Sequence, residues 1–241
     1  MTPRLIACYD GALYARMARV LAASAAQHCP HWDRQIVARR LFDVKEVTVN
    51  ARVRNSSVKL AEWVKAVDES PDGTPLLLID ADCLILRPLD DVWDRPFDVA
   101  YTKRDPARSK LPHNAGVLFV RATPATRAFL HAWLEDTKVI RTSTAKMQQA
   151  RRQFGACDQA ALATTLKRPV ASAAAIVQLP CREWNCEDSE WGRFDPSLTR
   201  IVHIKGALRE ALIGNARLVS AGRMQTLPRL IERWREVEAR A

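Results

Sequence analysis

The sequence has no run of roughly 18 apolar residues, which argues against a hydrophobic membrane-spanning helix. The apolar stretch within its first ten residues, MTPRLIACYD, is too short for the core of a secretory signal, so the expected location is cytoplasmic. Its six cysteines (Cys8, Cys29, Cys83, Cys157, Cys181 and Cys186) form no CxxC pair and no spacing suited to tetrahedral zinc. They are expected to be reduced and mostly structural. No repeat, low-complexity tract or linker-like composition divides the chain, so one domain over residues 1–241 is expected, long enough to bury a substantial core.

The composition, 48% apolar and 27% charged, is that of an ordinary globular protein. A net charge of +10 suits anionic partners such as nucleotides, phospholipid headgroups or nucleic acid, although an Arg- and Ala-rich gene composition would produce the same excess. Residues 200–241 hold nine basic and four acidic residues, half of that net charge. Within them Leu227, Leu230, Ile231, Trp234 and Val237 recur at helical spacing. This pattern fits a helix docked on its own domain, and also an interfacial helix lying on the inner face of a membrane.

The segment RLIACYD (4–10) reads as a buried strand, followed by an alanine-rich helix over Gly11 to His28. QIVARRL (35–41) is a second strand. A helix is expected from Asn55 and Ser56, which suit an N-cap, to the turn Pro71-Asp72-Gly73. PLLLI (75–79) has the continuous apolarity of a strand buried on both faces. FDVAYT (97–102) and NAGVLFVR (114–121) are further strands joined by the basic loop KRDPARSKLPH. Helices are expected over 124–137 and 144–167, the second broken at Gly155, and AAIVQLP and TRIVHI form the last strands. The alternation predicts an α/β fold with a mixed, mostly parallel sheet covered by helices on both faces.

At the end of PLLLI stand Asp80 and Asp82. Side chains two apart on an extended segment point the same way, and the carboxyl ends of strands are where open α/β sheets bind ligands. Two hard carboxylates so placed suit Mg²⁺ or Mn²⁺ bridged to a diphosphate. Acids at a strand end also solvate turns or cap helices, which is the plainer alternative.

LLLIDADCLILRPLDDVWD resembles the Asp-x-Asp region of retaining nucleotide-sugar glycosyltransferases of the GT-A fold, in particular family 8. Three later segments resemble that family in the same order: HNAGVLFV (113–120), CDQAAL (157–162) and VHIKGALR (202–209). The resemblance implies a GT-A fold and a metal-dependent transferase, with a UDP-sugar donor and Mn²⁺ or Mg²⁺ held by Asp80, Asp82 and His203. It further implies Lys205, Gly206 and Arg209 at the diphosphate, and Asp80, Lys59 and Asn114 at the donor. Asp10 and Tyr14 fall at the nucleotide, Trp184 and Asn185 beside the sugar, and Asp158 and Gln159 nearest the reacting carbon. The sequence departs from the family at Arg209, where Lys is usual, and at the following Glu-Ala, where Pro-Trp is usual. The donor is assigned mainly to residues 1–120 and the acceptor to 121–241.

Two acceptor classes suit the charge: a saccharide or glycolipid, and a modified base in DNA, which would have to leave its stack. A non-catalytic module of the same fold, recruiting an anionic surface through its basic tail, is the reading from another class.

Overall fold

The computed structural model describes residues 1–39, 51–107, 109, 112–212 and 227–241. The end of the second expected strand at Arg40 and Leu41, part of the basic loop, and Arg217 and Arg223 lie outside the described residues.

Six strands form the main sheet: β1 (Arg4–Tyr9), β2 (Asp33–Ala38), β3 (Pro75–Ile79), β5 (Val99–Lys103), β6 (His113–Arg121) and β7 (Ile176–Pro180), in the order β2-β1-β3-β6-β5-β7. All pairings are parallel except those of β6, which runs antiparallel to β3 and β5. The two remaining strands, β4 (Cys83–Ile85) and β8 (Ile201–His203), pair antiparallel in a separate sheet, so TRIVHI is no strand of the main sheet. The helices α1 (Gly11–His28), α2 (Ala51–Asp68), α3 (Pro124–Arg141), α4 (Thr144–Phe154), α5 (Cys157–Thr165), α6 (Pro169–Ser172), α7 (Cys181–Trp184), α8 (Gly206–Leu212) and α9 (Leu227–Glu238) complete the described elements, with short 3-10 turns at Asp90–Asp94 and Trp191–Arg193.

Every residue of β3 is buried, and its alternation feeds two cores. Leu77 and Ile79 pack with Leu21, Phe119 and Trp184 on the side of α1. Leu76 and Leu78 pack with Leu60, Trp63, Phe129 and Trp133 on the side of α2 and α3. A third core joins α1 to α9 and the small sheet, where Met17 and Val20 meet Leu84, Val202, Leu230, Trp234 and Val237. The apolar face of α9 is therefore buried against its own domain, which leaves those residues unavailable to a membrane interface. No helix among the described residues is long and apolar enough to cross a membrane.

Gly155, at φ 78°, caps α4 and separates it from α5, as the sequence suggested. Thr123 caps α3 by accepting from the Thr126 amide. The start of α2 differs from expectation. The chain is already helical from Ala51, ahead of an Asn55 or Ser56 cap, in keeping with the helix preference of the Ala and Arg residues there.

Candidate active site

The carboxyl end of β3 opens into a cleft of about 800 Å³, a size typical of a small-molecule site. The strand ends at Ile79, and Asp80-Ala81-Asp82 then forms a tight turn closed by the Cys83 amide donating to the Asp80 carbonyl at 3.2 Å. The two carboxylates share a side because of this turn, not because an extended strand continues through them. The turn is pinned on both flanks. The Asp80 amide donates to the Gly116 carbonyl of β6 at 2.8 Å, and the Ile204 amide donates to the Asp82 carbonyl at 2.7 Å.

The second contact brings in His203, at the end of β8. Its Nε2 lies 3.1 Å from Asp82 Oδ1 and 3.6 Å from Asp80 Oδ2. Its Nδ1 lies 3.1 Å from Asn185 Oδ1, while Asn185 Nδ2 donates to the Thr102 hydroxyl at 2.9 Å. Asn185 thus presents its carbonyl oxygen to the ring, so Nδ1 carries the proton and Nε2 faces two carboxylates. That arrangement calls for positive charge between them. Two carboxylate oxygens and an imidazole nitrogen are a fitting donor set for a divalent cation of the Mn²⁺ or Mg²⁺ kind. Gly116 leaves room for the His203 ring and the Asp80 carboxylate to come together: a Cβ there would stand 2.5 Å from His203 Cε1 and 2.8 Å from Asp80 Oδ2. Asp82, Cys83 and His203 also offer donor atoms that lie within 4.8 Å of one another. Burial holds the Cys83 thiol well above its ordinary range, so it stays protonated and the carboxylates are the better ligands.

The charges around this trio are closely paired. Lys59, from α2, donates to Asp80 at 2.8 Å and to Asp158 at 3.1 Å, and lies 4.5 Å from the centre of the Trp63 ring. Burial alone would lower the lysine, but the two carboxylates outweigh it and raise it. Arg209, on α8, contacts Asp82 and stands over Tyr14 at 5.2 Å from its ring centre. Burial pushes Asp82 up, yet His203, Arg209 and Lys205 outweigh that and hold it below the ordinary carboxylate range. Asp80 goes the other way, because its burial exceeds the pull of Lys59 and His203.

Gly206, at φ 53°, turns the chain after β8 into α8 with Lys205 and Arg209 on the cleft. Asn114, only 1% exposed, accepts from the Gly116 amide through Oδ1 at 2.9 Å. Its Nδ2 has no partner among the described residues, a buried donor facing the cleft. Asp158 and Gln159 open α5 along the cleft, with Asp158 buried. Asp10 and Tyr14 line the same cleft.

Ten of the twelve cleft residues that the resemblance singled out, other than Asp80 and Asp82 themselves, thus share one cavity with them, and two do not. Trp184 is fully buried, edge-on to Phe119 with a 5.4 Å centroid separation and under the Arg200 guanidinium at 4.6 Å, so its ring fills the core instead of stacking on a sugar. Asn185, also fully buried, stands behind His203 and orients it from outside the cleft.

Three charged cleft residues escaped the sequence reading. Arg104 follows β5 and is 4% exposed, and Glu187 is 1% exposed; they form a salt bridge at 3.1 Å. Asp188 is next to Glu187, and partial burial and then its hydrogen bond and repulsion with Glu187 push it up to about 6. The acids in CREWNCEDSEWGRF were the signal available for the last two, since they follow the Trp-Asn pair. Arg104 had none, because it sits in a basic loop that reads as a nucleic-acid contact.

No protein-family model matches the chain, and none of the curated proteins matches it by sequence. Solved structures do. The galactosyltransferase LgtC, crystallised with donor and acceptor sugar analogues, is similar at 15% identity with a TM-score of 0.59, over 98% of this chain and 95% of that one. A glycosyltransferase involved in glycosylation of the major capsid of PBCV-1 is similar at 14% identity and TM-score 0.58, over 88% of this chain and 96% of that one. The glycosyltransferase GlyE of Streptococcus pneumoniae is similar at 16% identity and TM-score 0.57, over 99% of this chain and 60% of that one. Together with the mixed sheet and its β3-end cleft, these likenesses give the chain the GT-A fold of those glycosyltransferases.

Proposed function

We propose that the protein is a metal-dependent glycosyltransferase that moves a sugar from a nucleoside-diphosphate donor, UDP-linked, to a saccharide or glycolipid hydroxyl with retention at the anomeric carbon. The observation that carries this reading is the convergence of Asp80, Asp82 and His203 with Lys205 and Arg209 in one cleft, beside Asn114 Nδ2, which has no partner among the described residues.

Asp80, Asp82 and His203 would hold the divalent cation, which would supply positive charge to offset that of the departing diphosphate. Lys205 and Arg209 add fixed positive charge at the same place, where negative charge grows as the bond from C1 to the phosphate oxygen breaks. The Asn114 amide donates to a sugar hydroxyl or ring oxygen. Lys59 keeps Asp80 and Asp158 apart in charge while holding both in place. Asp158 and Gln159, at the start of α5, orient the sugar as the acceptor oxygen forms its bond to C1, its proton passing to the released diphosphate. Asp10 and Tyr14 face the nucleoside end. Residues up to about 120 supply most donor contacts, and the acceptor enters beside the later half.

Incubating the protein with a panel of nucleotide sugars, with Mn²⁺ or with a chelator, and measuring nucleoside diphosphate release tests this directly. Release from one UDP-sugar that chelation abolishes supports the reading. No metal-dependent release or transfer from any donor, with saccharide acceptors present, overturns it.

A further inference from the structure

Lys205, at the diphosphate end of the cleft, and Gln159, at the sugar end, are joined by two buried side chains. Lys205 Nζ lies 3.0 Å from Glu187 Oε2. Arg104 reaches Glu187 through Nε at 3.1 Å and Nη2 at 3.3 Å, and the same Nη2 donates to Gln159 Oε1 at 3.2 Å. Each end is anchored further. Arg104 Nη1 donates to the His113 carbonyl at 2.6 Å, Gln159 Nε2 donates to the Phe154 carbonyl at 2.5 Å, and the Ser189 hydroxyl donates to Glu187.

Three features give this chain of side chains a meaning. Glu187 accepts from Arg104, Lys205 and Ser189 at once and shares a hydrogen bond with Asp188, so its oxygens are taken up and ill suited to a nucleophile's or base's work. Burial pushes it up, but its neighbours outweigh this and hold it ionised below the ordinary carboxylate range. Buried ion pairs also contribute little net stability, because desolvation offsets most of their attraction; fixing a geometry is their better attested use. And the four residues come from four separate places: the residue after β5, the start of α5, the segment after α7 and the turn between β8 and α8. Without a link, those places would set Lys205 and Gln159 independently.

We propose that Glu187 and Arg104 are positioning residues, locking the diphosphate-binding lysine and the sugar-side glutamine into one register across the cleft. This rests on the transferase reading given above. Once the active donor is identified, the test is steady-state turnover of the full chain as wild type, Glu187→Gln, Glu187→Asp, Gln159→Ala and the Glu187→Gln, Gln159→Ala double variant, with circular dichroism to establish folding. The Glu187 variants should lose about tenfold or more in kcat while donor KM changes less than about threefold, because the groups remain present but are misaligned. The double variant should be within about threefold of Gln159→Ala alone, since the two changes break one unit.

A folded Glu187 variant with kcat within about twofold of wild type, or a double variant whose losses multiply in full, overturns the proposal. Where Glu187→Gln does not fold, Glu187→Asp carries the same test, since it keeps the charge and shortens the reach. If neither folds, the network serves stability and the proposal fails. An active wild type with unaffected Glu187 variants removes this proposal alone, whereas a wild type inactive on every nucleotide sugar removes the transferase reading and this proposal with it.

Discussion

Replacing Gly116 by Ala adds one methyl group at the most crowded point of the site. A Cβ there would lie 2.5 Å from His203 Cε1 and 2.8 Å from both His203 Nδ1 and Asp80 Oδ2. Carbon atoms are comfortable at about 3.5–4.0 Å, so the ring or the carboxylate must retreat by about 1 Å. Neither is free to do so. His203 is held by Asn185, by its own amide on the Cys186 carbonyl at 2.8 Å, and by the pairing of β8 with β4. Asp80 is held by Lys59 and by its amide on the Gly116 carbonyl. Overpacking of this kind costs about 1–3 kcal/mol. In a chain of this length that is a Tm decrease of about 2–4 °C for each kcal/mol. The larger effect is expected on the cation, because Nε2 and the two carboxylates no longer converge; by the scale of changes that disturb ligand orientation, affinity falls about 10–100-fold. Isothermal titration of Mn²⁺ into protein with nucleoside diphosphate, beside thermal melts of the same samples, measures both. A Gly116→Ala protein with wild-type Mn²⁺ affinity and wild-type Tm would mean that the contact of Gly116 with His203 and Asp80 does not shape the site.

Asn185→Leu removes the group that fixes the His203 proton on Nδ1, and Mn²⁺ affinity is expected to fall about 10–100-fold by titration. Trp184→Ala should lower stability by about 3–5 kcal/mol in denaturant melts while donor KM in the folded protein is unchanged, because the ring packs in the core. Asp188, pushed from 3.8 up to about 6, holds its proton more tightly folded than unfolded. Its contribution to stability is therefore full below its unfolded pKa and is lost as pH rises through about 6. Asp188→Asn should accordingly melt above wild type at pH 7.5, and the difference should close toward pH 4.

How far the molecule can be read from its sequence depends on what kind of interaction a residue makes. The apolar run of β3, the helical periodicity of α3 and the Gly155 break are local patterns, and each appears where the pattern put it. The docking of α9 was one of two readings of an amphipathic helix, and only the partner surface on α1 decides between them. The start of α2 was misread because a cap-like Asn-Ser pair is not a stop signal when helix-favouring residues precede it.

The site is less local. Asp80 and His203 meet only because β4 and β8 pair, a contact no periodicity announces, and family resemblance alone put them together. Trp184 and Asn185 are adjacent in sequence yet serve different ends, one as core and one as a brace for His203. In sequence Arg104 lies in a basic loop suited to nucleic acid and Glu187 in a loop-like stretch with several acids. Their burial follows from the convergence of four segments, which is visible only once the chain is folded.

In the function proposed above, the β3-end cleft binds a nucleotide sugar through a cation held by Asp80, Asp82 and His203. Thermal melts of wild type and Asp82→Asn against UDP-sugars, each with and without Mn²⁺, test it most directly, because a ligand bound only by the native state raises Tm. The expected result is a rise with one donor that requires Mn²⁺ in the wild type and is absent in a folded Asp82→Asn protein. Equal shifts in both proteins, or no shift with any donor, would contradict it.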